Sequence, residues 1–184
     1  MNKPIHRAKS IWLTGLSGAG KTTVAAGLAL KLKEQGIAIA VLDGDVVRKG
    51  LCNDLQYTPD DRSENIRRIA EISGLLVKQG ISTINSFIQP TEEIRKKTQQ
   101  IVGQEHYLEI FVDAPLEICE ARDVKGLYKK ARLGLIKDFT GISAPFEIPK
   151  NAHLIISTDS LTIDECVNMA HAMVIKNMKG ELSE

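Results

Sequence analysis

Eight consecutive residues carry the plainest chemistry in this sequence. Gly15, Leu16, Ser17, Gly18, Ala19, Gly20, Lys21 and Thr22 fit G-x-x-x-x-G-K-S/T in full. Glycines at that spacing let the main chain wrap a phosphate and turn successive N–H groups inward. A helix starting near Gly20 adds the positive end of its dipole. Lys21 then reaches the outer phosphates of a triphosphate, and the Thr22 hydroxyl suits Mg2+. An apolar strand should precede such a loop and a helix should follow it; Ser10 to Leu16 and Lys21 to Gln35 supply both. Residues Gly15 to Thr23 are therefore expected to bind a nucleoside triphosphate.

A phosphate loop alone does not separate a kinase from a GTPase, a motor or a switch. Asp43, Gly44, Asp45 and Arg48 come next, after the apolar run Ile37 to Leu42. Strand ends in open α/β sheets face the ligand crevice, so two carboxylates there would meet the bound phosphates. One could serve a Mg2+ shell and the other take a proton from an acceptor hydroxyl. A plain Asp-Gly-Asp turn is the alternative. Further on, Arg62 and Asn65 stand three apart at a helix start and share a face. They suit a phosphate or sulfate group plus a hydrogen bond to a nucleotide, or simply a capped, ion-paired helix start. The guanine signature N-K-x-D is absent, which argues against a GTPase.

From Arg122 to Lys137 there are six Lys and Arg against one Asp. The longer stretch to Pro149 holds Gly126, Gly134, Gly141, Pro145 and Pro149 and shows no sustained apolar face. A segment of that length in a compact domain reads as a cationic active-site lid over about 122–149, with a solvated basic helix as the alternative.

Positioning these groups needs strands and helices in alternation. Five apolar runs read as strands: Ser10 to Leu16, Ile37 to Leu42, Ile81 to Phe87, Tyr107 to Val112 and Leu154 to Ser157. Helices are expected over Lys21 to Gln35, Arg62 to Gln79, Thr91 to Val102, Leu116 to Arg122 and Thr162 to Lys179. The pattern predicts an α/β fold of the P-loop NTPase type. That fold is a three-layer sandwich whose mainly parallel five-stranded sheet carries helices on both faces. With 184 residues, 43% hydrophobic and 26% charged, the chain is expected to form one kinase domain over 1–184. A net charge of +1 and 4% aromatic residues exclude a general nucleic-acid binder and a base-stacking platform. Cys52, Cys119 and Cys166 are scattered and read as buried thiols of a reducing compartment. No long apolar run predicts a membrane span, and charges with Pro4 near the N-terminus do not suit a secretory leader. The expected location is the cytoplasm.

Taken together, the motifs resemble those of the adenylylsulfate kinase family. The resemblance runs from about Ile11 to Asn151. It rests on Gly15 to Thr22, on Leu42 to Asp45 with Arg48, Gly50 and Leu51, and on Asp61, Arg62 and Glu64 to Arg68. Ser86 to Ile88, Lys125 to Lys130 and Phe139 to Ile142 complete it. The family implies transfer of phosphate from ATP, with Mg2+, to the ribose 3′-hydroxyl of adenosine 5′-phosphosulfate. By position, Asp45 and Lys21 would be catalytic. Asp43, Gly44, Asp45, Arg48, Arg62, Asn65, Phe87, Ile88 and Lys125 would line the acceptor, with Tyr57 and Phe139 as aromatic rings around its base. Small-molecule nucleotides would be the partners, with no nucleic acid or membrane, and the assembly a homodimer.

Departures from the family pattern cluster. Where the family reads Ser-Phe-Ile-Ser-Pro-Tyr-Arg, Gln89 replaces the second Ser and Thr91-Glu92 replace Tyr-Arg; Leu55-Gln56-Tyr57 stands for Leu-Gly-Phe. These positions are expected to border the acceptor pocket. They leave open a paralogue acting on another nucleotide with a charged 5′ substituent, such as a cytidine diphosphate derivative. A nucleotide-binding module without catalysis is the remaining alternative.

Overall fold

Side-chain alternation in the first strand divides the molecule. Ile11 and Leu13 point to one apolar cluster and Trp12, between them, to the other. Such a strand, buried on both faces, belongs at the centre of a parallel sheet. The computed structural model describes residues 6–179; the terminal stretches read above against a leader and as parts of one domain extend beyond that range.

The element order is β1 (Ser10–Thr14), α1 (Lys21–Glu34), β2 (Ile39–Asp43), α2 (Gly44–Val47), α3 (Pro59–Lys78) and β3 (Ser82–Ser86). Then follow α4 (Glu92–Val102), β4 (Tyr107–Asp113), α5 (Leu116–Arg122), α6 (Leu127–Arg132), β5 (Leu154–Ser157) and α7 (Ile163–Met178). The sheet runs β2-β3-β1-β4-β5, and all four pairings are parallel. One face is covered by α1 and α7, whose Leu28, Leu32, Ala170 and Val174 pack on Ile11 and Leu13. The other carries α3, whose Ile66, Ile69 and Ala70 pack near Trp12, Phe87 and Tyr107. Ser73 on α3 reaches the hydroxyls of Ser10 and Thr83 at 2.5 Å each, a buried polar rivet in that layer. No helix among the described residues is long and apolar enough to cross a membrane.

Three elements differ from the expected outline. The second long helix, α3, starts a turn early, at Pro59, because the Thr58 hydroxyl accepts from the Asp61 amide and Pro59 suits the first turn. Asp43 caps a short helix, α2, through the Asp45 amide, where no helix was expected. The basic segment is also not free of apolar contacts. Tyr128, Ala131 and Phe139 join the larger core, with Phe139 packed edge-on to Tyr128 at 5.0 Å. Only its outer face fits the expected flap: Lys125, Lys129 and Lys130 are exposed.

Candidate active site

Strand register brings the first functional groups together. Leu13 pairs with Ser86 and Ser86 with Asp43, so the β1, β3 and β2 ends lie level at the crevice. The loop after β1 enters α1 there. The Thr22 hydroxyl donates to Asp43 Oδ2 at 2.9 Å and lies 3.5 Å from Ser86 Oγ. Asp43 Oδ1 takes the Asp45 amide at 2.9 Å. Asp43 is thereby tied to the phosphate loop, while the Asp45 carboxylate projects into solvent and meets Lys125 Nζ.

Lys21 and three side chains from outside the loop hold its carbonyls, one after another. Lys21 Nζ donates to Gly15 O at 3.0 Å and Leu16 O at 2.7 Å. Tyr128 Oη donates to Ser17 O at 2.9 Å, Arg122 Nη1 to Gly18 O at 3.3 Å, and Thr158 Oγ1 to Ala19 O at 2.8 Å. Carbonyls drawn outward leave the amides to face an anion, which is what a phosphate cradle requires. Sequence reading missed Tyr128, Arg122 and Thr158 in this role. Its one signal was position, since Thr158 directly follows β5 at the rim where strand ends meet ligands.

Burial pushes the Lys21 ammonium down to about 8; nearby Lys125 adds to the fall, and Cys119, Asp43 and Asp45 oppose it. A triphosphate in the cradle should restore the charge. Nucleotide binding at about pH 8.5 is therefore expected to take up a fraction of a proton, and less at about pH 7. Calorimetry in two buffers of different ionisation heat reads this; equal heats at the higher pH would refute it.

On the acceptor side, Arg62 Nε donates to Tyr57 O at 3.0 Å and Nη2 to Asp138 O at 2.9 Å. Arg62 thus joins the segments that carry Tyr57 and Phe139. Its guanidinium is shifted down, by burial first and then by Arg48. Arg48 Nη1 donates to Gln56 O at 2.8 Å and its guanidinium lies 4.4 Å from the Tyr57 ring centroid. Tyr57 is exposed, whereas Phe139 is buried against Tyr128. Asn65 is 4% exposed and its Oδ1 is a buried acceptor without a hydrogen-bond partner in the protein. Phe87 is buried 6.0 Å from Trp12, and Gly44 lies against its ring. The neighbouring Arg67 and Arg68 are spent on Glu64 and Asp54, the ion-paired reading of that helix start.

The departures Gln89, Thr91 and Glu92 are each engaged within the fold. Gln89 is wholly buried with its amide on Thr98, Thr91 caps α4, and Glu92 pairs with Lys96. The reason is local: β3 ends at Ser86, and the chain turns inward through Gln89 to start α4. All three cysteines are free and buried, and burial pushes the Cys119 thiol up, against a redox role.

The sequence profile described as Adenylylsulphate kinase matches residues 7–157. The chain belongs to that family. An adenylyl-sulfate kinase of Paraburkholderia xenovorans is 51% identical over 176 residues, covering 95% of this chain and 98% of its own length. That of Bacteroides thetaiotaomicron is 50% identical over 92% of this chain and 84% of its own. Among solved structures, the APS kinase CysC of Mycobacterium tuberculosis in complex with AMPPNP and APS superposes with a TM-score of 0.88. It is 41% identical and covers 92% of this chain and 98% of its own. The three-layer P-loop kinase architecture of this adenylylsulphate kinase family member is thus the one its sequence predicted.

Proposed function

We propose that the chain transfers the γ-phosphoryl group of ATP to the 3′-hydroxyl of adenosine 5′-phosphosulfate, giving 3′-phosphoadenosine 5′-phosphosulfate and ADP in sulfate assimilation. The observation that carries this is the split between two neighbouring carboxylates. Asp43 is bound to the phosphate-loop hydroxyl of Thr22, and Asp45 is exposed to an incoming acceptor.

In the reaction, the 3′-oxygen forms the new P–O bond and its proton passes to Asp45, while the β–γ bridging oxygen departs with ADP. Lys21, released from the carbonyls of Gly15 and Leu16, pairs with the outer phosphates, and the loop amides hold the rest. A hydroxyl and a carboxylate are hard oxygen donors of the kind Mg2+ takes. Thr22 and Asp43 would hold that ion, which when bound offsets charge on the β- and γ-phosphates. No group of three or more His, Cys, Asp or Glu that could hold a metal ion is found among the described residues. Arg48 and Arg62 supply positive charge for the phosphosulfate, Asn65 Oδ1 takes a hydrogen bond from the nucleotide, and Lys125 leaves Asp45 as the acceptor enters.

The same reading makes 1–184 one catalytic domain, assembled as a homodimer on the strength of the family resemblance. Three buried free cysteines support a reducing, cytoplasmic setting. Coupled assay of ADP release with adenosine 5′-phosphosulfate as acceptor tests the activity. Turnover of 1–10^3 per second, the ordinary enzyme range, is roughly what is expected. Release no faster than ATP hydrolysis without acceptor would overturn the reading.

A further inference from the structure

Behind the acceptor loop lies a buried polar cluster that the phosphoryl-transfer chemistry leaves unused. Gln89 is 0% exposed, and its Nε2 donates to Thr98 Oγ1 at 3.1 Å. Its main-chain carbonyl accepts Arg95 Nη1 at 2.9 Å. Arg95, on α4, is 6% exposed, and its Nε lies 3.6 Å from Glu109 Oε1 on β4. Glu109 is held in turn by β5-side contacts: its amide donates to His153 Nδ1 at 3.1 Å, and the His153 amide donates to Glu109 O at 2.9 Å. Burial raises the Glu109 carboxyl to about 7 against the pull of Arg95, and burial lowers His153. Gln89 Oε1, Tyr107 Oη and Glu109 Oε1 are buried without a hydrogen-bond partner in the protein.

An interior guanidinium is costly, and replacing such a pair by apolar side chains is often neutral or stabilising. Stability is therefore a weak reason for it. Its location gives a better one. The Arg95 bond falls on the main chain one residue after Ile88 and two after Phe87. The Phe87 ring is fixed through Trp12, whose own ring lies 6.5 Å from Tyr107. The helix that Lys21 opens, α1, packs through Val24, Leu28 and Leu32 into the cluster on the opposite face of the sheet. The Arg95 cluster thus supports the acceptor half of the site and leaves the ATP half alone.

We propose that Arg95, held by Glu109, is a positioning residue for the acceptor nucleotide, fixing the Gln89 carbonyl and through it the Phe87–Ile88 main chain. This rests on the acceptor reading of that loop given above.

The test uses the full chain, with ATP and adenosine 5′-phosphosulfate varied separately. Arg95→Met is expected to raise the acceptor KM about tenfold or more, the scale of one lost charged hydrogen bond, and to leave the ATP KM within about twofold. Arg95→Lys keeps charge and a donor and should recover part of the loss. Glu109→Gln is nearly isosteric and carries the test if Arg95→Met does not fold; it should raise the acceptor KM by about threefold. Amide hydrogen exchange should quicken at 86–90 in these variants and stay unchanged at 15–22. Equal changes in both KM values, or an unchanged acceptor KM with unchanged exchange at 86–90, would overturn the proposal. A wild-type chain inactive on adenosine 5′-phosphosulfate would instead overturn the activity assigned above, and exchange at 86–90 alone would then decide the positioning role.

Discussion

Asp45→Asn is expected to lower turnover by about 10^2–10^4-fold, the usual worth of a positioned general base, with ATP affinity within about twofold of wild type. The geometry separates the two effects. The Asp45 main chain is fixed by Asp43 Oδ1, so the substitution leaves the cap of α2 in place. The lost carboxylate pairs with Lys125 and bonds neither Lys21 nor Thr22, although its charge does help to hold Lys21 protonated. An amide of the same size accepts no proton, so the 3′-hydroxyl must ionise unaided. Asp43→Asn is the natural comparison. It weakens the cap and the Thr22 bond together, so its defect should fall on the ATP and Mg2+ side. Single-turnover rates with saturating ATP, beside equilibrium ATP binding, read the difference. Turnover of Asp45→Asn within about threefold of wild type would remove Asp45 as the base.

Spacing alone does not say which of the two carboxylates is tied to the phosphate loop. Asp43 and Asp45 flank a glycine, and spacing treats them alike. The choice depends on β2 pairing with β3 so that Asp43 lies level with Ser86 and within reach of Thr22. Register between strands is a long-range property that no local window contains. The phosphate loop was legible because its cause is local: glycine spacing, an apolar strand before it and a helix after it. The basic segment failed in part for the opposite reason. Tyr128, Ala131 and Phe139 are too few for a helical period to show, yet they carry that segment into the core. Gln89 misled in another way. A departure from a family pattern was placed by its neighbours in sequence, Phe87 and Ile88, but the chain turns after β3 and buries it beside Thr98. Arg122 and Thr158, which bond each other and the phosphate loop, lie on separate elements that only the folded sheet brings together.

Gly15→Ala is expected to cost about 3–5 kcal/mol of folding stability, a large share of what a domain of this size possesses, and to abolish tight ATP binding. Gly15 has φ +150°, and a Cβ there would sit 2.3 Å from the carbonyl oxygen of Val112. That oxygen is main chain inside β4, paired alongside β1 with Thr14 opposite Phe111, so neither partner can retreat without parting the central strands. Relief by moving the loop would carry off the Gly15 carbonyl that Lys21 grips, and with it the ordered amides of the cradle. Gly126→Ala isolates the conformational part of the effect. Gly126 has φ +63°, and a methyl group there would meet nothing within 4 Å, so only the left-handed penalty of about 1–2 kcal/mol applies. Urea unfolding of both variants, with ATP titrated into each, makes the comparison. Equal losses would mean that the close approach of β4 to the loop is not what excludes a side chain at position 15. A larger loss at Gly15, together with weakened ATP binding confined to that variant, would tie the phosphate cradle to the central strand pair on which it is built.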